Sequence, residues 1–178
     1  ATPSYKNSLS TELGVLTMSS GTSTTNGYSI YLGNTSTVPG GGVNVLEWRV
    51  RVNTLSTTGV QVVQIYPGLI NTTTTTGEPT SGIYFVYDLG TSANWLLKTA
   101  NASTRTTVTS TVAVTASVWV KLAFVLNAAG TQVDGYINGL FIGSITTNIP
   151  TATMAPQFMI RKSTGITALT ADIDYCYY

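Results

Sequence analysis

The sequence predicts an all-β protein, a two-sheet antiparallel β-sandwich of the jelly-roll kind. Three observations carry that expectation. Short runs alternate apolar and polar residues with the period of a half-buried strand. No segment keeps apolar residues at helical spacing for three turns. Finally, about a dozen such runs are separated by polar turns, the pattern of a sandwich or jelly roll.

In chain order, strands are expected near residues 14–18 and 28–32, separated by the Ser/Thr/Gly-rich stretch 19–26. Pro39-Gly40-Gly41-Gly42 then makes a connector. Within 45–52, Leu46, Trp48, Val50 and Val52 share one face, and Glu47, Arg49 and Arg51 share the other. A strand at 60–66 leads into the threonine tract 71–76 and Gly77-Glu78-Pro79, a surface loop by composition. Residues 82–88 set Ile83, Phe85 and Tyr87 against Tyr84 and Val86, and strands at 94–99 and 105–109 follow. In 118–126, Val118, Val120, Leu122, Phe124 and Leu126 oppose Trp119, Lys121, Ala123 and Val125. Both of those faces are rather apolar, which puts the strand in the interior of its sheet. Asn138-Gly139, between 131–137 and 140–145, is the preferred pair for a type I′ hairpin turn, where both central residues need positive φ. Strands at 157–161 and 169–177 complete the set. In the last one Ile173, Tyr175 and Tyr177 are expected to face inward, leaving Asp172 and Asp174 outward. Nothing marks a repeat or a domain boundary. Residues 1–178 are read as a single jelly-roll domain. Residues 1–10 are a candidate N-terminal arm or linker, because 1–7 have little to pack against.

The chain has 178 residues, enough for one domain with a sizeable core. Only 8% of them are charged, against about 25% in ordinary soluble proteins. Threonine, roughly a fifth of the chain, replaces the charge with hydroxyls and favours extended backbone. That composition suits a rugged extracellular or particle-bound β protein. A net charge of +1 gives no electrostatic footprint for nucleic acid or anionic membrane. No apolar run approaches the roughly 18 residues of a membrane helix. Ala1 at the first position fits a processed or trimmed start. Cys176 is the single cysteine, so no internal disulfide forms.

The chain contains no histidine, which removes Ser-His-Asp and Cys-His nucleophile systems and the usual zinc sites. Cys176 is a thiol without a base, read as a half-buried strand residue. Pro39-Gly40-Gly41-Gly42 precedes a strand and lacks a following Lys-Ser/Thr, so it is a loop and not a phosphate cradle. Among the seven carboxylates, Asp172 and Asp174 share one strand face about 7 Å apart, inside the range for glycoside hydrolysis. A solvated face is the plainer reading of that pair, and a calcium site there has no further support. Expected catalytic, cofactor and metal residues are therefore none. The 10 tyrosines and 3 tryptophans leave sugar binding open, since aromatic faces stack on sugar rings. Tyr28, Tyr31, Tyr84 and Tyr136 are the candidate glycan contacts, with Tyr66 and Tyr178 also at strand positions or ends. Cross-strand packing is the competing role for each. Asn34, Asn71 and Asn101 head Asn-x-Ser/Thr sequons, which arise easily by chance in so threonine-rich a chain.

The second half carries an ordered set of short motifs: Trp119-Val120-Lys121-Leu122, Asn127-Ala128-Ala129-Gly130-Thr131, Tyr136-Ile137-Asn138-Gly139, Thr146-Thr147-Asn148-Ile149-Pro150, Arg161-Lys162-Ser163-Thr164-Gly165 and Ile173-Asp174-Tyr175. Upstream, 82–88 followed by Asn94-Trp95 fits the same order. Over roughly residues 45–178 the set resembles the concanavalin A-like (laminin G-like) jelly rolls of tailed-bacteriophage virion proteins, such as fibres, tail proteins and head decorations. The glucanase branch of that fold has a Glu-x-Asp-x-Glu strand, which this sequence lacks, so hydrolase activity is not carried over.

The resemblance implies a virion structural protein, a fibre or decoration domain on the particle surface that also aids host attachment. A carbohydrate-binding, lectin-like module is the alternative, and a polysaccharide hydrolase or lyase a distant third. Implied partners are further copies of the chain, with the resemblance favouring a trimer, other virion proteins, and host-surface glycan. An assembled state also follows from the few charges, which leave sheet edges unguarded.

Overall fold

The computed structural model describes residues 4–5, 14–32, 37–71 and 75–178, and among these there is no helix. Among the described residues thirteen strands run in chain order: β1 Ser4–Tyr5, β2 Leu16–Ser19, β3 Gly27–Tyr31, β4 Asn44–Val52, β5 Val62–Ile70, β6 Gly82–Asp88, β7 Ser92–Asn101, β8 Thr104–Ala113, β9 Val120–Leu126, β10 Val133–Ile137, β11 Leu140–Ile145, β12 Ala155–Thr164 and β13 Thr170–Tyr177. They form two antiparallel sheets, a seven-stranded one in the order β1-β2-β13-β4-β9-β10-β11 and a six-stranded one in the order β3-β12-β5-β6-β7-β8. Sequential strands therefore alternate between sheets in several places, as a jelly roll requires. The expected interior position of the 118–126 segment holds, since β9 lies between β4 and β10.

The core fills the space between the sheets. Leu46, Trp48, Val50 and Val52 of β4 and the alternate residues of β9 face Ile65 and Leu69 of β5, Phe85 of β6 and Phe158 of β12. Trp48 and Phe158 meet across the layers with ring centroids 5.9 Å apart. Val118, expected to open the strand on the same face as Val120, lies ahead of β9 and is half exposed. At Ser4–Tyr5, two residues of the expected arm pair with β2, Ser4 opposite Thr17 and Tyr5 opposite Leu16. The other residues of 1–10 lie outside the described residues, as does Asn34.

One inward position is unexpected. Lys162 continues the alternate row of Phe158 and Ile160 and is 1% exposed. Its ammonium donates to the carbonyls of Gly21 and Thr167, each at 2.5 Å. One side chain thus ties the loop after β2 to the loop before β13. Burial lowers its pKa below the ordinary lysine value.

The alternation expected in β13 is broken by a bulge. Ile173 pairs with Val50, but Tyr175 pairs with Arg49, so one extra residue enters between them. Asp174 and Tyr175 consequently both face out, Cys176 turns in to pack on the core, and Tyr177 turns out, 66% exposed. The expectation that Tyr175 and Tyr177 face inward is corrected by this single insertion, which flips every later side chain.

Candidate functional site

The outer surface of the seven-stranded sheet carries Asp172 and Asp174, and the structure separates their roles. Arg51 donates to Asp172 through Nε at 2.9 Å and Nη2 at 2.7 Å, while Thr17 adds its hydroxyl at 2.7 Å. Arg49 pairs with Asp174. Both guanidinium groups lie over the Trp119 ring, 4.8 and 4.7 Å from its centre. Each carboxylate is thus neutralised by its own arginine, and no group of three or more His, Cys, Asp or Glu able to hold a metal ion occurs among the described residues. This face is a structural ion network.

The outer face of the six-stranded sheet is different. Antiparallel register places Tyr31, Gln157, Gly68, Tyr84, Lys98 and Thr107 on one rung across β3, β12, β5, β6, β7 and β8. The second rung along on the same face holds Gly27, Arg161, Gln64, Asp88 and Ser92. Between these rungs, Tyr66, Val86, Leu96 and Met159 form a second apolar cluster outside the main core. Tyr66 and Tyr84 meet nearly edge to face, centroids 5.9 Å apart and planes at 72°. Gly68 makes this possible: a Cβ there would lie 2.4 Å from the Ile83 carbonyl and 2.5 Å from Tyr84 Cβ.

Residues 75–79, the loop ahead of β6, lie against this face. A Cβ on Gly27 would lie 2.5 Å from the Thr75 carbonyl, so the loop rests directly on β3. At its other end Glu78 accepts from Lys98 Nζ at 2.8 Å and approaches Arg105 Nε at 3.3 Å and the Tyr84 hydroxyl at 3.3 Å. Arg105 also donates to the Pro79 carbonyl at 2.9 Å. Burial pushes the phenols of Tyr66 and Tyr84 well above the usual tyrosine range. For Tyr66 the Arg161 charge opposes the shift; for Tyr84 the Glu78 carboxylate adds to it and Arg105 opposes it.

The same sheet face carries buried polar groups with unused hydrogen-bonding capacity. Gln157 is 0% exposed, and neither its amide nitrogen nor its oxygen has a partner. Gln64 Oε1 and Arg161 Nε are also buried and unpartnered. Such groups are costly to leave unmade and rare in native structures.

Only two of the four candidate tyrosines share this face. Tyr31 lies at its β3 edge, 43% exposed, and Tyr84 at its centre, where burial removes the exposed ring that sugar stacking requires. Tyr28 pairs with Ile160 and packs against the main core, its hydroxyl accepting from Asn26 at 3.0 Å. Tyr136 is on the other sheet, edge-on to Phe141 at 5.7 Å. Of the two further tyrosines, Tyr66 is buried and Tyr178 is 44% exposed. Gln64, Lys98, Gln157 and Arg161 were not singled out from sequence, although the alternation of 157–161 already puts Gln157, Met159 and Arg161 on one face.

A family model described as SO2946-like, C-terminal domain, matches residues 11–174. The chain belongs to that family. A search of curated proteins finds no match. Among solved structures, this SO2946-like domain is similar to a Bacillus licheniformis β-glucanase, with 14% identity over 92% of this chain and 77% of that one, at a TM-score of 0.61. It is similar to an endo-β-1,4-glucuronan lyase from the fungus Trichoderma reesei, with 13% identity, coverage of 98% and 85%, and a TM-score of 0.63. The carbohydrate recognition domain of Emp46p, in its metal-free form, is also similar, with 10% identity, coverage of 98% and 86%, and a TM-score of 0.61. At these identities the likeness shows the fold, a concanavalin A-like jelly-roll sandwich, and fold alone does not choose an activity.

Proposed function

We propose that this SO2946-like domain is a non-catalytic glycan-binding module that uses the outer face of its six-stranded sheet and is displayed on the surface of a virus particle. The observation that carries the reading is Gln157, a buried amide with both donor and acceptor unpaired, on the same rung as the partly exposed Tyr31. A ring beside planar polar groups is the chemistry that recognises a sugar's apolar face and its hydroxyls. Fold similarity to a carbohydrate recognition domain supports the reading.

The groups present support binding without cleavage. Hydrolysis needs two disposable carboxyls. On this face Asp88 accepts from Gly90 N, Thr91 Oγ1 and Gln64 Nε2, and Glu78 is held by Lys98 and Arg105. A proton-abstracting phenol needs its pKa lowered, whereas those of Tyr66 and Tyr84 are raised. The virion location is supported by the motif order in residues 82–178 and by the sparse charge. Display in several copies, a trimer by that resemblance, would turn weak single-site binding into useful avidity.

A glycan array probed with an oligomeric preparation tests the reading. Signal is expected, lost in Gln157→Ala and Tyr31→Ala, with no release of reducing ends or unsaturated sugar from the bound glycan. An array without signal removes the binding function and leaves a structural domain, which the loop lying on the face also favours. Antibody labelling of purified particles tests the location; unlabelled particles would refute it.

A further inference from the structure

We infer that Lys98, Arg105 and Tyr84 form a carboxylate-binding subsite that Glu78 occupies from within the chain, and that the glycan taken by this face is acidic, its uronate carboxylate displacing Glu78. The inference rests on the glycan-binding reading and adds the substrate class to it.

Three donors on three adjacent strands converge on one carboxylate. Tyr84 lies on β6, Lys98 on β7 and Arg105 on β8, and all three reach Glu78 within 2.8–3.3 Å. Strand pairing sets this up: Tyr84 is opposite Lys98, and Lys98 is opposite Thr107, two residues from Arg105 on the same side of β8. A lysine, an arginine and a phenol clustered on one sheet face carry a net positive charge that some carboxylate must balance. Glu78 is not fixed there by the strands. It hangs from the loop, and its side chain is 25% exposed, so the ion pair is open to exchange with solvent-borne anions.

The surroundings match a ligand larger than one carboxylate. Gln157 lies on the same rung as Tyr84, separated only by Gly68, which has no side chain. Its unpaired amide supplies a donor and an acceptor for hydroxyl or carboxylate oxygens beyond the Glu78 position. Arg105 holds the loop through the Pro79 and Glu78 carbonyls as well. Exchange of the Glu78 carboxylate therefore leaves the loop backbone anchored.

Isothermal titration of the full chain with a glucuronate oligosaccharide and with the glucose oligosaccharide of equal length and linkage tests this. Glu78→Gln removes the competing charge while keeping the side chain's shape. It is expected to bind the glucuronate oligosaccharide about tenfold more tightly than wild type, the worth of one freed charge-assisted contact, and the glucose one unchanged. Adding Lys98→Gln and Arg105→Gln should erase the gain. Equal binding of both sugars, unaltered by Glu78→Gln, overturns the acidic assignment and leaves glycan binding standing. Binding of neither sugar by either protein overturns both. Wild-type amide resonances of Thr75 to Glu78, Thr80 and Ser81 give a readout that needs no variant to fold. They should shift with the glucuronate oligosaccharide and stay fixed with the glucose one, and a null result there at saturating sugar refutes displacement of Glu78.

Discussion

Asp172 and Asp174 are two positions apart in the sequence, yet the first is 0% exposed and the second 28%. Sequence spacing placed both on one outward face, which is where they are, but it did not show that Arg51 covers one of them. Removing one partner of a buried pair costs about 3–5 kcal/mol, whereas an exposed pair is worth about 1 kcal/mol or less. Urea denaturation should therefore find Asp172→Asn far less stable than Asp174→Asn. Similar midpoints for the two would contradict the packing described. Cys176, read from sequence as a half-buried and inert thiol, is held at a pKa of about 12 by burial, above its ordinary 9.0. In the unfolded chain the thiol ionises near its ordinary value, while the folded one keeps its proton. Its contribution to stability is thus lost as pH rises from 9 toward 12. Wild-type protein should lose stability over that window more steeply than Cys176→Ala, and a thiol reagent at pH 8 should label the folded chain slowly. Of the candidate tyrosines, sequence could place each on a strand but not say which face another loop would cover, and Tyr84 shows the cost of that.

At the level of elements, alternation and turn chemistry were legible, and bulges were not. The Asn138-Gly139 hairpin forms as expected, with φ of 52° and 81° at its two central residues. Asn138 does more than turn the chain. Its Oδ1 accepts from the Lys121 amide, and its own amide donates to the Lys121 carbonyl, both at 2.9 Å. Asn138→Ala should cost about 1–2 kcal/mol, because alanine resists positive φ and the Lys121 bond is lost. Asn138→Gly restores the conformation without the bond and should recover part of the loss in a thermal melt. In contrast, the extra residue in β13 leaves no mark in the run Asp172-Ile173-Asp174-Tyr175-Cys176-Tyr177, and only pairing with Arg49 and Val50 reveals it. Lys162 was hidden for a related reason. A charged residue in an inward position reads as a strand end until the carbonyls of Gly21 and Thr167 are seen to meet it.

On the scale of the whole molecule, the two-layer architecture could be read from run length and turn spacing, because those depend on local chemistry. The order of strands within each sheet could not, since it depends on pairings between distant segments, such as β13 with β2. That last pairing has a mechanical consequence. Thr170 lies opposite Ser19 and Ile173 opposite Leu16, so the leading end of β2 and the trailing half of β13 point to the same side of the sheet. Tension applied to the polypeptide on either side of the domain first peels the two-residue β1. It then parts β2 from β13 one backbone hydrogen bond after another instead of shearing all of them together. Pulled by its termini in an optical trap, the domain should yield at much lower force than when the same load is applied through cysteines placed to pull β4 and β9 along their length. The sandwich would then act as an extensible link that lengthens under load.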